Sequence, residues 1–168
     1  PTTTWAVARA IQEFGHEGST VGAHMMVMHR AMEASDILAP QMNRNAITMG
    51  VDSRVRFGDR MYEASGNAGF TILTGEADAI ARVQRASGHY LQRVDQRSIR
   101  YDPTRTSLGG TQITGNLSKI AGRHWLWTNS IMIESPEFDP LDFGRLNYAG
   151  DLTTTHRLTY RETRPGRV

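Results

Sequence analysis

The sequence predicts an antiparallel all-β fold, a meander of long hairpins, and three observations lead there. Apolar residues recur with a period of two over extended stretches. Their parity changes across short Gly-containing breaks in the way tight turns demand. The alternating stretches run to about 11 to 14 residues, longer than the usual five or six of a globular strand.

Residues 45 to 74 carry the pattern best. Odd positions Ile47, Met49, Val51, Val55 and Phe57 are apolar, with Ser53 between them, whereas Thr48, Gly50, Asp52, Arg54 and Arg56 are polar or small. After Gly58-Asp59 the apolar set becomes Tyr62, Ala64, Gly66, Ala68, Phe70 and Ile72, against Glu63, Ser65, Asn67 and Thr71. A two-residue type II′ loop with Gly first accounts for the reversal. It would pair Phe57 with Arg60, Val55 with Tyr62, Ser53 with Ala64, Val51 with Gly66, Met49 with Ala68 and Ile47 with Phe70. On the other face it would set Arg54 against Glu63 and Asp52 against Ser65. A slip of one residue would mix the faces, so one parity is specified.

A second hairpin is expected over 108 to 135, where Ile113 and Leu117 share parity with Trp125, Trp127, Ile131 and Ile133. Equal parity needs an odd loop, either Ile120 to Gly122, with Gly122 at positive φ, or Ala121 to Arg123. Ser19 to Met28 alternates and pairs back to Thr3 to Gln12, although WAVARAIQEF contains good helix formers and could equally start a helix. Leu152 to Glu162 supplies a final strand. Irregular segments remain at 31 to 44, 88 to 106 and 136 to 150. Short turns and long loops alternate over the first three connections, and the turn at 119 to 123 is expected to break that rhythm.

Composition narrows the function classes. The 168 residues contain no cysteine, which excludes a disulfide framework and thiolate metal sites. With 19 basic and 17 acidic residues spread along the chain, nothing resembles the focused basic stripe of a nucleic-acid binder. No apolar run reaches the ~18 residues of a transmembrane helix. Membrane barrels escape that test, because lipid-facing and lumen-facing side chains alternate and mean hydropathy stays low. Strands this long can cross a hydrocarbon layer when tilted, so the hairpins point to part of an outer-membrane-type β-barrel, open or incomplete over these residues.

With the strands placed, the phrases GSTVGAHMMVMHR, GVDSRVRFGDRMYEASGNAGF, GHYLQRVDQ, YDPTRTSLGG, GRHW and SPEFDPLDFGRL occur in an order that resembles the C-terminal region of bacterial proteins assigned to domain of unknown function 5916. The resemblance covers residues 5 to 162. It implies a parent protein with an N-terminal module similar to family-nine carbohydrate-binding domains and a C-terminal outer-membrane-like barrel. No catalytic residues come with it. The expectation is one barrel segment over 1–168, truncated at both ends. The chain opens on Pro1 without a signal-like stretch and closes on Arg164-Pro165-Gly166-Arg167-Val168 rather than on the aromatic-ended strand the resemblance implies.

On this reading Ile47, Met49, Val51, Val55, Tyr62 and Phe70 face lipid, and Asp52, Arg54, Arg56, Glu63 and Asn67, with Arg60, form a polar network lining the lumen. In a soluble sandwich the same network would be solvated surface. Trp5, Trp125, Trp127, Tyr90, Tyr148 and Tyr160 suit interfacial girdles better than sugar stacking, because they lie near strand ends. His24, Met26 and Met28, with His29 and Met25 close by, are soft copper(I) ligands, but methionine fills irregular interiors more often. Glu134, Glu137, Asp139 and Asp142 offer oxygen ligands for calcium without the EF-hand spacing, so a solvated loop is the plainer reading. No metal or cofactor is expected.

Enzyme readings lack a carrier. The G-x-S-x-G elbow, H-E-x-x-H, the P-loop and the dinucleotide fingerprint are missing. Asp52 with Glu63 could imitate a glycosidase pair, but Arg54 set against Glu63 favours a charged carboxylate, the opposite of what acid duty needs. The expectation is a non-catalytic fragment of a bacterial outer-membrane barrel with the bilayer as its partner. It would be a channel or anchor linked to carbohydrate only through a domain outside these residues. The alternative is a soluble β-sandwich acting as a carbohydrate-binding or interaction module, its apolar faces packed on a second sheet.

Overall fold

A computed structural model describes residues 2–94, 99–140, 142, 146 and 149–163. Seven strands, β1 (Thr2–Phe14), β2 (Ser19–Ala31), β3 (Asn45–Phe57), β4 (Tyr62–Thr74), β5 (Ser107–Lys119), β6 (Trp125–Glu134) and β7 (Leu152–Tyr160), form one antiparallel sheet in sequence order, and α1 (Ala77–Arg85) lies between β4 and β5. β1 and β7 are the two edges, so the sheet is open. Five of the strands are 13 residues long. The first hairpin pairs Thr2–Phe14 with Ser19–Ala31, and β1 is strand throughout rather than helix. The last strand ends at Tyr160, two residues short of the predicted Glu162.

The parity predicted for the β3–β4 hairpin holds, and its register differs by two. Phe57 pairs with Tyr62, Val55 with Ala64, Ser53 with Gly66, Val51 with Ala68, Met49 with Phe70 and Ile47 with Ile72. The loop is four residues, Gly58 to Met61, not a type II′ dipeptide. Gly58, Asp59 and Arg60 all take positive φ (66°, 58° and 59°), and Met61 N–H donates to the Gly58 carbonyl at 3.1 Å. A slip of two keeps every side chain on its face, so periodicity alone does not choose between the registers. The pairs do: Phe57 stacks on Tyr62 at 5.5 Å, and Arg56 comes opposite Glu63.

Neighbouring turns also support the longer loop. Arg60 N–H donates to Glu17 Oε2 at 3.2 Å, its guanidinium donates to the His16 carbonyl at 3.3 Å, and Ile120 N–H donates to the Met61 carbonyl at 2.9 Å. The β5–β6 hairpin keeps the predicted even pairing, Ile113 with Ile133 and Leu117 with Asn129. Its loop extends to His124, longer than either three-residue turn, and Gly122 does take positive φ (135°). Arg161 holds it by donating to the Gly122 carbonyl at 3.0 Å.

The alternation of connections does not break at residue 119. The turns after β1, β3 and β5 are short and gather at one end of the sheet, and the long loops after β2, β4 and β6 gather at the other. The turn after β5 falls where a short one is due, because 75–106, the fourth connection, is one long loop and contains helix α1. Asp78 in its first turn and Arg82 and Arg85 in its last complement the helix dipole. Ala79, Ile80, Ala81 and Gln84 are its buried residues. Gln84 is satisfied at both ends of its amide, donating to the Asp102 carbonyl at 2.8 Å and accepting from Asp102 N–H at 2.9 Å. Asp102 in turn accepts from Thr104 Oγ1 and N–H, which holds its carboxyl below the usual aspartate range.

The core sits on one side of the sheet, at the loop end. Met28, Ala46, Leu73 and Leu108, one from each of β2 to β5, are buried beneath Ile80 of α1 and Leu91 and Ile99 of the following loop. All four strand positions have the parity of the polar face. Covering Met28, Leu73 and Leu108 contributes about 1.5–3 kcal/mol each, enough to hold the loops down.

Candidate functional site

Two faces with different chemistry result from the pairing. The odd positions of β2, β3, β5 and β6 and the even positions of β4 and β7 share one face. It carries Val21, Ala23, Met25 and Val27; Ile47, Met49, Val51, Val55 and Phe57; Tyr62, Ala68, Phe70 and Ile72; Ile113 and Leu117; Ile131 and Ile133; and Leu152 and Leu158. The six residues expected to face lipid, Ile47, Met49, Val51, Val55, Tyr62 and Phe70, all lie on it. It is uncovered: Val51, in the middle of the sheet, is 55% exposed.

At the turn end this face is rimmed with aromatics. Phe57 stacks on Tyr62, Tyr62 lies 6.3 Å from Trp127, and Trp125 meets Tyr160 edge-on at 5.0 Å. Trp125, Trp127 and Tyr160 are girdle candidates from the sequence, and Tyr62, expected to face lipid, joins them here with Phe57. Trp5 does not join them, since its pairing with Met28 puts it on the opposite face. Tyr90 belongs to the loop after α1, and Tyr148 lies outside the described residues, as do Pro1 and 164–168.

The other face is polar towards the turn end. Arg56 donates to Glu63 at 3.1 Å and Arg54 lies 3.5 Å from the same carboxylate, so Glu63 is shared between two guanidiniums rather than set against Arg54 alone. Asp52 pairs with Asn67 in register and accepts from Arg9 of β1 at 3.0 and 3.1 Å. Asn67 accepts from Thr114 at 3.0 Å. The predicted network Asp52, Arg54, Arg56, Glu63 and Asn67 therefore shares one face and gains Arg9 and Thr114, which sequence reasoning missed because each partner comes from a different hairpin. Arg9, Asp52, Arg54, Asn67 and Asn116 line a shallow cleft of about 400 Å³. Arg60 is not among them, being bound in the turn to Glu17 and His16.

Geometry also corrects the remaining candidates. Asp52 and Glu63 sit four strand positions apart, about 13 Å at the β rise, beyond the separation of glycosidase carboxylates, and both are in ion pairs. His24, Met26 and Met28 share the polar face, while Met25 and His29 lie on the other. The acidic residues from the end of β6 onward do not converge. Glu134 accepts from Gln112, Asp139 pairs with His89 and Asp142 pairs with Arg30. Among the described residues no group of three or more His, Asp or Glu could hold a metal ion.

At the loop end the polar face is closed by buried ion pairs. Arg30 of β2 donates to Asp142 and to the Asn43 carbonyl. His89 Nε2 lies 2.9 Å from Asp139 Oδ2 and its Nδ1 2.8 Å from the Pro136 carbonyl. Burial pushes the His89 imidazole down, but its hydrogen bonds to Asp139 and Pro136 and the charges of Asp139 and Glu137 outweigh it, so its pKa is raised.

No family model matches the chain, and no curated protein or solved structure matches it.

Proposed function

We propose that this chain is a wall segment of a bacterial outer-membrane β-barrel, with its apolar face against lipid and its polar face lining the lumen. One observation carries the reading: a bare apolar face crosses β2 to β7 and ends in an aromatic rim. From Phe57 to Ile47 that face extends ten residue steps, about 33 Å along the strand and about 25 Å when tilted as barrel strands are, the height of the apolar band of an outer-membrane barrel. Short turns at one end and long loops at the other fit the same architecture.

The segment serves as channel wall or membrane anchor, and the ordered phrases that resemble domain of unknown function 5916 link it to carbohydrate binding or uptake through its parent protein. Nothing in the reading asks these residues for catalysis. The lumen network of Arg9, Asp52, Arg54, Arg56 and Glu63 would brace the wall and set the preference for charged solutes.

The test is depth-dependent fluorescence quenching. The chain is folded with phospholipid vesicles whose acyl chains carry bromine near the headgroup or near the bilayer centre. Trp125 and Trp127, with Trp5 replaced by Phe, should be quenched most by the shallow bromines. Emission insensitive to bromine, together with a chain that stays in the aqueous phase, would favour a β-sandwich whose apolar face meets a second sheet.

A further inference from the structure

The segment 135–140 lies on the polar face like a strap. A Cβ on Gly110 of β5 would fall 2.1 Å from the Phe138 nitrogen and 2.4 Å from the Glu137 carbonyl carbon, so strap backbone rests directly on strand backbone. Asp139 N–H donates to Thr71 Oγ1 of β4 at 3.0 Å. Phe138 and Asp139 are both buried. On its other side the strap meets the loop that follows α1, through His89.

The His89 contacts impose a protonation state. A carbonyl oxygen can only accept a hydrogen bond, so Nδ1 must carry a hydrogen towards Pro136. While the Asp139 carboxyl is ionised it likewise only accepts, so Nε2 then carries one towards it. A neutral imidazole has one hydrogen for these two positions and would turn a lone pair on an acceptor in a site closed to water. Among the described residues the charged groups acting on the ring are Asp139 and Glu137, both on the strap. Thr71 and Gly110, from the strands beneath the strap, bring no charge. The acid–base state of one side chain thus governs whether this buried contact is satisfied.

We propose that the strap is a pH-responsive closure of the polar face, seated while His89 is an imidazolium and lifting when it loses that proton. Release uncovers Gly110 and Thr71 and, in a barrel, opens the lumen at its loop end. The contacts are the same whether lipid or a second sheet covers the apolar face, so failure of this inference leaves the wall reading standing.

Hydrogen exchange of the whole chain, read on peptides over 135–140 and 69–74 and corrected for intrinsic rates, tests it between mildly acidic and alkaline pH. Protection in the strap should fall about tenfold per pH unit above the folded His89 pKa, with the β3–β4 turn unchanged. In His89→Gln, which cannot titrate, the strap should show no such slope. A flat profile in the unmodified chain, or the same slope in the variant, would overturn the proposal. Should the variant fail to fold, the ¹⁵N resonances of the unmodified His89 decide: both ring nitrogens protonated at the mildly acidic pH where the strap is protected support the closure, and a single neutral tautomer there refutes it.

Discussion

The two ends of the sheet are made from the same strands and hold together differently. At the turn end Asp52, Arg54, Arg56, Glu63 and Asn67 leave one face wet, and Phe57, Tyr62, Trp125, Trp127 and Tyr160 crowd the other. At the loop end the face that was polar becomes the core, with Met28, Ala46, Leu73 and Leu108 beneath α1 and its following loop. Each strand keeps one parity throughout, yet the side chains of that parity change from charged to apolar along its length. A strand therefore has two gradients to specify, one between its faces and one along its axis.

That contrast is tested most severely within β5. Leu108→Ala, at the buried end, should cost about 2–5 kcal/mol in a denaturant titration, whereas Leu117→Ala, exposed on the apolar face near the other end, should cost less than about 1 kcal/mol in aqueous buffer. Similar losses at both would mean that the turn end has a core of its own. Gly110→Ala follows, at about 1–3 kcal/mol, because its Cβ meets strap backbone rather than a movable side chain; faster exchange at Phe138 and Asp139 would register it.

The pH dependence comes next. The folded pKa of His89 is raised above its ordinary value of 6.5, so its contribution is fully present below that value and is lost as pH rises through the folded pKa. Thermal melts should show the chain losing stability as pH rises from 6.5 through the folded pKa, and His89→Gln should remove the dependence. The smallest effect belongs to Arg9→Ala. Its pair with Asp52 is partly exposed and should contribute less than about 1 kcal/mol, falling further with added salt. A larger loss would make the wet face a structural element in its own right.

Strand number, order and facing were legible because period-two patterning is local. Ile47 through Phe57 states which side is apolar without reference to anything distant. The register of that hairpin was not, since a slip of two leaves every face intact and the choice rests on Phe57 meeting Tyr62 and on Glu17, from a different turn, holding Arg60. Helix α1 is hard to read because Ala77, Ala79, Ala81 and Val83 share one parity, as in a strand, with Ile80 alone on the other, and nine residues are too few for a long amphipathic run. The apolar ends of the polar face were visible in Met28, Ala46, Leu73 and Leu108, but only as exceptions to an alternation. Pairing His89 with Asp139 needed the fold itself, since it joins two loops 50 residues apart.

The hydrogen bonds between adjacent turns give the molecule a rigid hem. Glu17 holds Arg60, Met61 accepts from Ile120, and Arg161 holds Gly122, so lengthening any one of these turns would unseat its neighbour. Ile37, 81% exposed in the loop after β2, is under no such constraint from a facing turn. Epitope tags and inserted domains belong there, and an insertion between Gly58 and Met61 would unravel the hem across three hairpins.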